Sequence, residues 1–179
     1  RGNSHNAIPN NPELYNAAEL ITTLTDDTLN TPGVDGAYSV AFSPDGKILA
    51  SGHGDGRVDF WNPTTPAKIG TIPAHLGYVC DIAFSPDGAL LATGGRNENT
   101  VKIWDVESMQ QKHVMHGHSD CVWAVSFSAD GQTLASASQD RNVKLWAVKT
   151  GKSVNSFSTP HGLCAVAISP NGKHLAAAG

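Results

Sequence analysis

Basic residues are scarce in this chain. Lysine and arginine make up only 12 of 179 residues, no two are adjacent, and the net charge is −4. A general nucleic-acid binder needs a cationic stripe to displace the counterions of a phosphate backbone, so that class is set aside. No apolar run is long enough to span a bilayer, and no apolar signal segment follows Arg1; a processed or trimmed start is expected. Cysteine is sparse as well. Cys80, Cys121 and Cys164 form no close metal-binding pair and read as free thiols of a reducing, cytoplasmic compartment. Also missing is any apolar pattern of helical period that survives eleven residues without a breaker. GHGDG at 52–56 has neither the lysine nor the helix that a phosphate loop requires.

What the chain does have is turns, with eighteen glycines and ten prolines, and 40% hydrophobic residues in a length sufficient for one ordinary core. It also repeats. AFSPDGKILASG from Ala41, AFSPDGALLATG from Ala83, SFSADGQTLASA from Ser126 and AISPNGKHLAAA from Ala167 align. Their anchors Phe42, Phe84, Phe127 and Ile168 are 42, 43 and 41 residues apart, and Trp61, Trp104 and Trp146 keep the same period. Within a unit the pattern is that of short strands. Residues 121–128 alternate, Asp130-Gly131 makes a tight turn, and TLASAS at 133–138 follows. A polar turn at 139–142, VKLWAV at 143–148 and a last strand near 152–157 complete the unit.

These units resemble WD repeats: a histidine, the SPDG hairpin, a small-residue strand, an aspartate turn and a tryptophan strand. The WD dipeptide itself stands only at Trp104-Asp105, with Trp61-Asn62 and Trp146-Ala147 as variants. The resemblance implies an all-β fold, a β-propeller of four-stranded antiparallel blades, with an incomplete ring in this chain. Its units would be a lead-in at 1–18, a preceding-blade strand and polar loop at 19–36, and blades at 37–76, 77–118 and 119–161. Two strands of a fourth blade would fill 162–179. Open blade edges would expose unpaired backbone, so the missing blades are expected from a longer parent chain or from other copies.

Ser136, His118 and Asp140 invite a nucleophile–base–acid reading. The resemblance implies instead a buried structural tetrad with Trp146, and its recurrence with the repeat supports that; an active site would normally occur once. His75, Thr93 and Trp104 form the second set, with Asn97 or Glu98 in place of aspartate. Ser51, Asp55 and Trp61 form the first, with Gly33 where the histidine would be. In the fourth unit His161 is shifted and Ala177 replaces the hydroxyl residue. A metal reading of His113, His116 and His118 is disfavoured because alternation sends the first two to opposite faces. No metal and no cofactor is expected.

WD-repeat proteins bind peptides or domains near the central channel, at the start of each innermost strand and just before the turn aspartate. Those positions are Tyr38, Tyr78, Cys80, Trp123, Arg96 and Gln139 here, and Tyr, Trp and Arg are common anchors. Trp123 shares strand parity with Val125 and Phe127, which fits core packing equally well. Cys80 and Cys164 occupy equivalent positions and fit small buried residues too. The expected function is a non-catalytic protein-interaction scaffold that holds a protein or peptide partner on the propeller face, without nucleic acid or membrane. The alternatives are a regulatory sensor array attached to a signalling ATPase or kinase, and, remotely, a serine hydrolase at Ser136.

Overall fold

The computed structural model of the chain describes residues 36–65 and 67–179. The lead-in expected at 1–18, and the preceding-blade strand and polar loop as far as residue 35, including Gly33, lie outside the described residues.

Alternating apolar runs and glycine-bearing turns produce fourteen strands among the described residues. The first sheet contains β1 (Ala37–Phe42), β2 (Leu49–His53), β3 (Arg57–Asn62) and β4 (Ala67–Pro73). The second contains β5 (Val79–Phe84), β6 (Leu90–Gly95), β7 (Val101–Asp105) and β8 (Gln111–Met115). The third contains β9 (Val122–Phe127), β10 (Thr133–Ser138), β11 (Asn142–Ala147) and β12 (Lys152–Ser158). A two-stranded hairpin, β13 (Ala165–Ile168) and β14 (Leu175–Ala178), follows. Every sheet is an antiparallel meander in chain order, as short polar connections dictate. Among the described residues the sheets form an open arc of three blades and one hairpin.

Side chains fill the spaces between blades. Ala50, Val58, Phe60 and Ile72 of the first blade meet Val79, Ile82, Leu91 and Trp104 of the second. Ala92, Val101, Ile103 and Met115 meet Val122, Val125, Leu134 and Trp146 in the same way. A smaller cluster of Ala124, Ala137 and Val143 packs on Leu163, Val166 and Leu175. One position shows what such packing does. Ile82 and Val125 are 4% and 5% exposed, whereas their counterpart Val40, on the outer side of the first blade, is 57% exposed.

The repeated SPDG segment explains the connection between the first two strands of each blade. The Ser43 hydroxyl donates to Asp45 Oδ1 (2.7 Å) and accepts from the Ile48 N–H (2.9 Å), while the Gly46 N–H returns to the Ser43 carbonyl (2.9 Å). Gly46 has a φ of 71°, which glycine takes without a Cβ penalty. Ser85, Ser128 and Ser169 repeat the arrangement with Asp87, Asp130 and Asn171. The Ser43 hydroxyl, ahead of the backbone N–H of Lys47, holds the Asp45 carboxyl down at about 2.

Candidate functional site

Three polar chains run through the blades. In the third, the Trp146 Nε1–H donates to Ser136 Oγ (2.8 Å), which lies 2.7 Å from His118 Nε2; His118 Nδ1 is 2.8 Å from Asp140 Oδ2. Asp140 also accepts the backbone N–H of Ser119 and of Asn142, so it fastens the β10–β11 turn to the loop before β9. Burial pushes the His118 ring below its ordinary value despite the attraction of Asp140. The ring is therefore neutral at pH 7, with Nδ1 donating to the carboxylate and Nε2 accepting the serine proton. The distances are those of a catalytic triad. The serine hydroxyl, however, is completely buried and its oxygen is already taken by the indole N–H. A substrate carbonyl has no approach to it.

The second chain has the same form with a glutamate. Trp104 Nε1–H reaches Thr93 Oγ1 (3.2 Å), Thr93 lies 2.8 Å from His75 Nε2, and His75 Nδ1 lies 2.9 Å from Glu98 Oε2. Of the two substitutes open in the sequence, Glu98 takes the acid's place. Lys102 Nζ closes the network on Glu98 (2.9 Å) and on the Ala74 carbonyl (2.8 Å). Burial lowers His75 to about 4, against the pull of Glu98, so this contact is a hydrogen bond from a neutral ring rather than an ion pair. Gly95 must lack a side chain because a Cβ there would overlap the His75 ring.

The first blade departs from expectation. Trp61 donates to Ser51 Oγ (3.0 Å), and Ser51 lies 2.9 Å from Nε2 of His53, two residues further along the same strand. The acid beside that ring is the fully buried Asp59 of β3, at 3.4 Å from His53 Nε2. Asp55, expected in the acid's place, instead caps its own turn, accepting the Arg57 N–H (3.1 Å) and facing the Arg57 side chain (3.5 Å). The physical reason is position. The histidine comes from inside β2, so the acid must come from the neighbouring strand rather than from the turn. Asp59 is held by the Thr71 hydroxyl, Arg57 (3.3 Å) and Lys68 (3.2 Å). Two signals were present in the sequence: a histidine where the other blades have Gly95 and Ser138, and an acid where they have Lys102 and Lys144.

In the fourth unit, His161, ahead of β13, and Ala177 of β14 are exposed, and the His161 carbonyl accepts from the Thr159 hydroxyl. His113 is half-buried and His116 exposed. Among the described residues, no group of three or more histidine, cysteine, aspartate or glutamate side chains is arranged to hold a metal.

Three of the rim residues share one backbone feature. The innermost strand of each four-stranded blade carries a bulge near its start: Ala37 and Ser39 pair with His53 and Gly52, leaving Tyr38 over; Cys80 and Trp123 are left over in the same way. A bulge inserts one residue outside the ladder and re-aims its side chain. It also breaks the parity between Trp123 and Val125, so the alternation that suggested core packing does not apply. Val125 is buried, while Trp123 remains partly exposed and belongs to no core cluster.

Tyr38 and Tyr78 meet edge to face at 4.9 Å, and the Arg96 guanidinium lies 5.2 Å from the Tyr78 ring centre. Arg96 N–H donates to the Tyr78 carbonyl (3.1 Å), and Gln139 N–H to the equivalent Cys121 carbonyl (2.9 Å). Both of these side chains are exposed. Gly54 leaves room for the two tyrosines, because a Cβ there would lie 3.0 Å from the Tyr38 ring. The structure thus brings Tyr38, Tyr78 and Arg96 together, sets Gln139 at the place of Arg96 one blade on, and sets Trp123 at the place of Tyr38 two blades on.

The family model for the WD domain, G-beta repeat, matches residues 20–62, 67–105 and 109–147, more than half of the chain. The chain belongs to the WD40-repeat family. WD40 relatives include the protein tipD of Dictyostelium discoideum, 29% identical over 78% of this chain and 22% of that protein. A second is the WD repeat-containing protein SL1-17 of Schistosoma mansoni, 36% identical over 65% of this chain and 38% of its own length. The autophagy-related protein 16 of Arabidopsis thaliana is 28% identical over 76% of this chain and 27% of that protein. The chain therefore spans only about a fifth to two fifths of the length of these relatives. Solved structures of U3-55K and of the RRP9 WD40 repeats superpose with a TM-score of 0.71 at 27% identity, covering 78% of this chain and 44% and 43% of theirs. These relatives have varied roles, and WD40 propellers are generally interaction modules without catalysis. The matched WD40 units are staggered against the blades: 67–105 runs from β4 to β7, and 109–147 from β8 to β11.

Proposed function

We propose that this chain is a non-catalytic recognition module that holds a protein or peptide segment on the rim formed by Tyr38, Tyr78, Arg96, Trp123 and Gln139. The observation that carries this reading is the coincidence of bulges and anchors. Tyr38 and Trp123 are both displaced from the ladder at the same place in the first and third blades, and Tyr38 stacks on Tyr78, which carries Arg96, in the direction of the second. Aromatic rings bury large areas with few rotors, and a guanidinium over a ring keeps its donors free for an acidic group. The preferred segment accordingly carries a carboxylate beside an apolar residue. The buried tetrads contribute rigidity to this platform rather than chemistry.

Peptides selected from a displayed library against the 179-residue chain test the proposal. Arg96→Ala, Tyr78→Ala and Trp123→Ala should each weaken the selected peptides, the strongest by about 30-fold, the range of an interface anchor worth about 2 kcal/mol. Lys149→Ala, on an exposed turn away from this rim, should leave affinity unchanged. Selected peptides indifferent to all three rim variants contradict the proposal.

A further inference from the structure

Two sulfurs remote in sequence meet at the boundary between the second and third blades. Cys80 is the bulged residue of β5, and Cys121 immediately precedes β9. Their Sγ atoms are 3.5 Å apart. Cys80 is partly exposed and Cys121 is 4% exposed. Cys164, the third thiol, is exposed and lies in the loop leading into β13.

We propose that Cys80 and Cys121 form a redox-modification site, which a low-molecular-weight disulfide such as oxidised glutathione converts into a single cystine joining two blades. The strands that carry the pair are already held together. The Val125 N–H donates to Asp81 Oδ2 (2.9 Å), next to Cys80 in sequence. Rotation of the side chains has to close a gap of only about 1.5 Å to reach the length of a disulfide bond.

The order of attack follows from access. Cys80 meets solvent, and its thiolate is the better supported of the two: it accepts the S–H of Cys121 and faces the charge of Arg96. The same contact, followed by burial, keeps Cys121 protonated. The Cys80 thiolate attacks one sulfur of the glutathione disulfide, forming a mixed disulfide and releasing one glutathione thiolate, which takes up the proton lost by Cys80. Cys121 then gives its proton to water and attacks the Cys80 sulfur of the mixed disulfide. The Cys80–Cys121 bond forms, the bond to glutathione breaks, and a second glutathione leaves and is protonated. Two protein thiols are oxidised by two electrons, and one glutathione disulfide is reduced to two thiols.

Trypsin places the three cysteines on three different peptides, 69–96, 113–141 and 153–173. The full chain is incubated with oxidised glutathione, alkylated, digested without reduction and mapped by mass spectrometry. Expected is one linkage, 69–96 to 113–141, lighter by two hydrogens than the two thiol peptides together, with Cys164 carrying glutathione or the alkyl group. Cys121→Ser should stop the reaction at glutathione on Cys80, and Cys80→Ser should leave Cys121 alkylated only after unfolding. The same incubation in concentrated urea should scatter the linkages over all three pairs. Native linkages distributed as in urea, or a Cys80 that stays unmodified in Cys121→Ser, overturn the proposal.

Discussion

At the scale of single residues, the three histidines His53, His75 and His118 share a property that none would have in water. Each is buried deeply enough that its proton is lost more readily than in the unfolded chain, even with an acid beside it. A histidine pKa lowered by folding means that the unfolded state binds more protons, so stability rises with pH across the shifted interval. The window is set by His75: its contribution is complete above about 6.5 and is lost as pH falls towards about 4. For that residue alone the loss reaches roughly 3 kcal/mol. Glu98 and Asp140 act in the same direction lower on the scale. Burial raises both carboxyls, but hydrogen bonds from Lys102 and His75, and from Ser119 and His118, outweigh it. The unfolding midpoint should therefore drop between pH 7 and pH 5, and drop less in His75→Gln, whose amide does not titrate. A midpoint flat across that interval contradicts the neutral-histidine assignment. The tetrads of the second and third blades were legible because their histidines precede the blade at constant spacing. That of the first was not, because a spacing rule cannot follow a histidine that has moved inside β2.

Strands and turns obey simpler rules. TLASAS emerged as β10 with the bounds expected from its pattern, and VKLWAV as β11 shifted by one residue. The bulges were invisible, since inserting one residue into a strand leaves its apolar pattern nearly intact while changing where Tyr38, Cys80 and Trp123 point. Turns show a finer distinction. Gly46 and Gly56 both have positive φ, at 71° and 91°. At the place in the other blades that Gly56 occupies, Asn99 and Arg141 adopt positive φ with a full side chain. Left-handed backbone alone is thus tolerable there. What Gly56 cannot tolerate is a Cβ, which would run into the His75 carbonyl, while at Gly46 nothing lies within 4 Å. Gly46→Ala should cost about 1 kcal/mol, the ordinary left-handed penalty, and Gly56→Ala distinctly more. Urea unfolding of the two variants measures the difference; equal losses would mean that the close approach to His75 carries no cost.

For the whole molecule, the blades have to cohere with one another as well as within themselves. The sequence displayed the repeat, and hence the blades, but not the polar link that crosses three of them. Asp81, on an innermost strand, accepts the Ser39 hydroxyl of the preceding blade (2.9 Å) and the Val125 N–H of the following one (2.9 Å), as well as its own neighbour, the Ile82 N–H. Burial raises its carboxyl above the ordinary value. Its counterpart in the third blade is Ala124, so nothing in the periodic pattern marked it. Asp81→Ala should leave donors from two blades unmatched and lower stability by about 1–3 kcal/mol. Asp81→Asn, which retains an acceptor oxygen, should lose less. Loss of identical size in both variants would mean that the link across blades adds nothing.

The stagger between repeat and blade has a further consequence. Since a unit such as 67–105 supplies the outermost strand of one blade and the three inner strands of the next, no unit is a self-contained sheet. Duplicating or deleting one unit during evolution would change how many blades the chain builds while reproducing every junction that already exists. Such a gene can grow or shrink by whole units without having to invent a new connection.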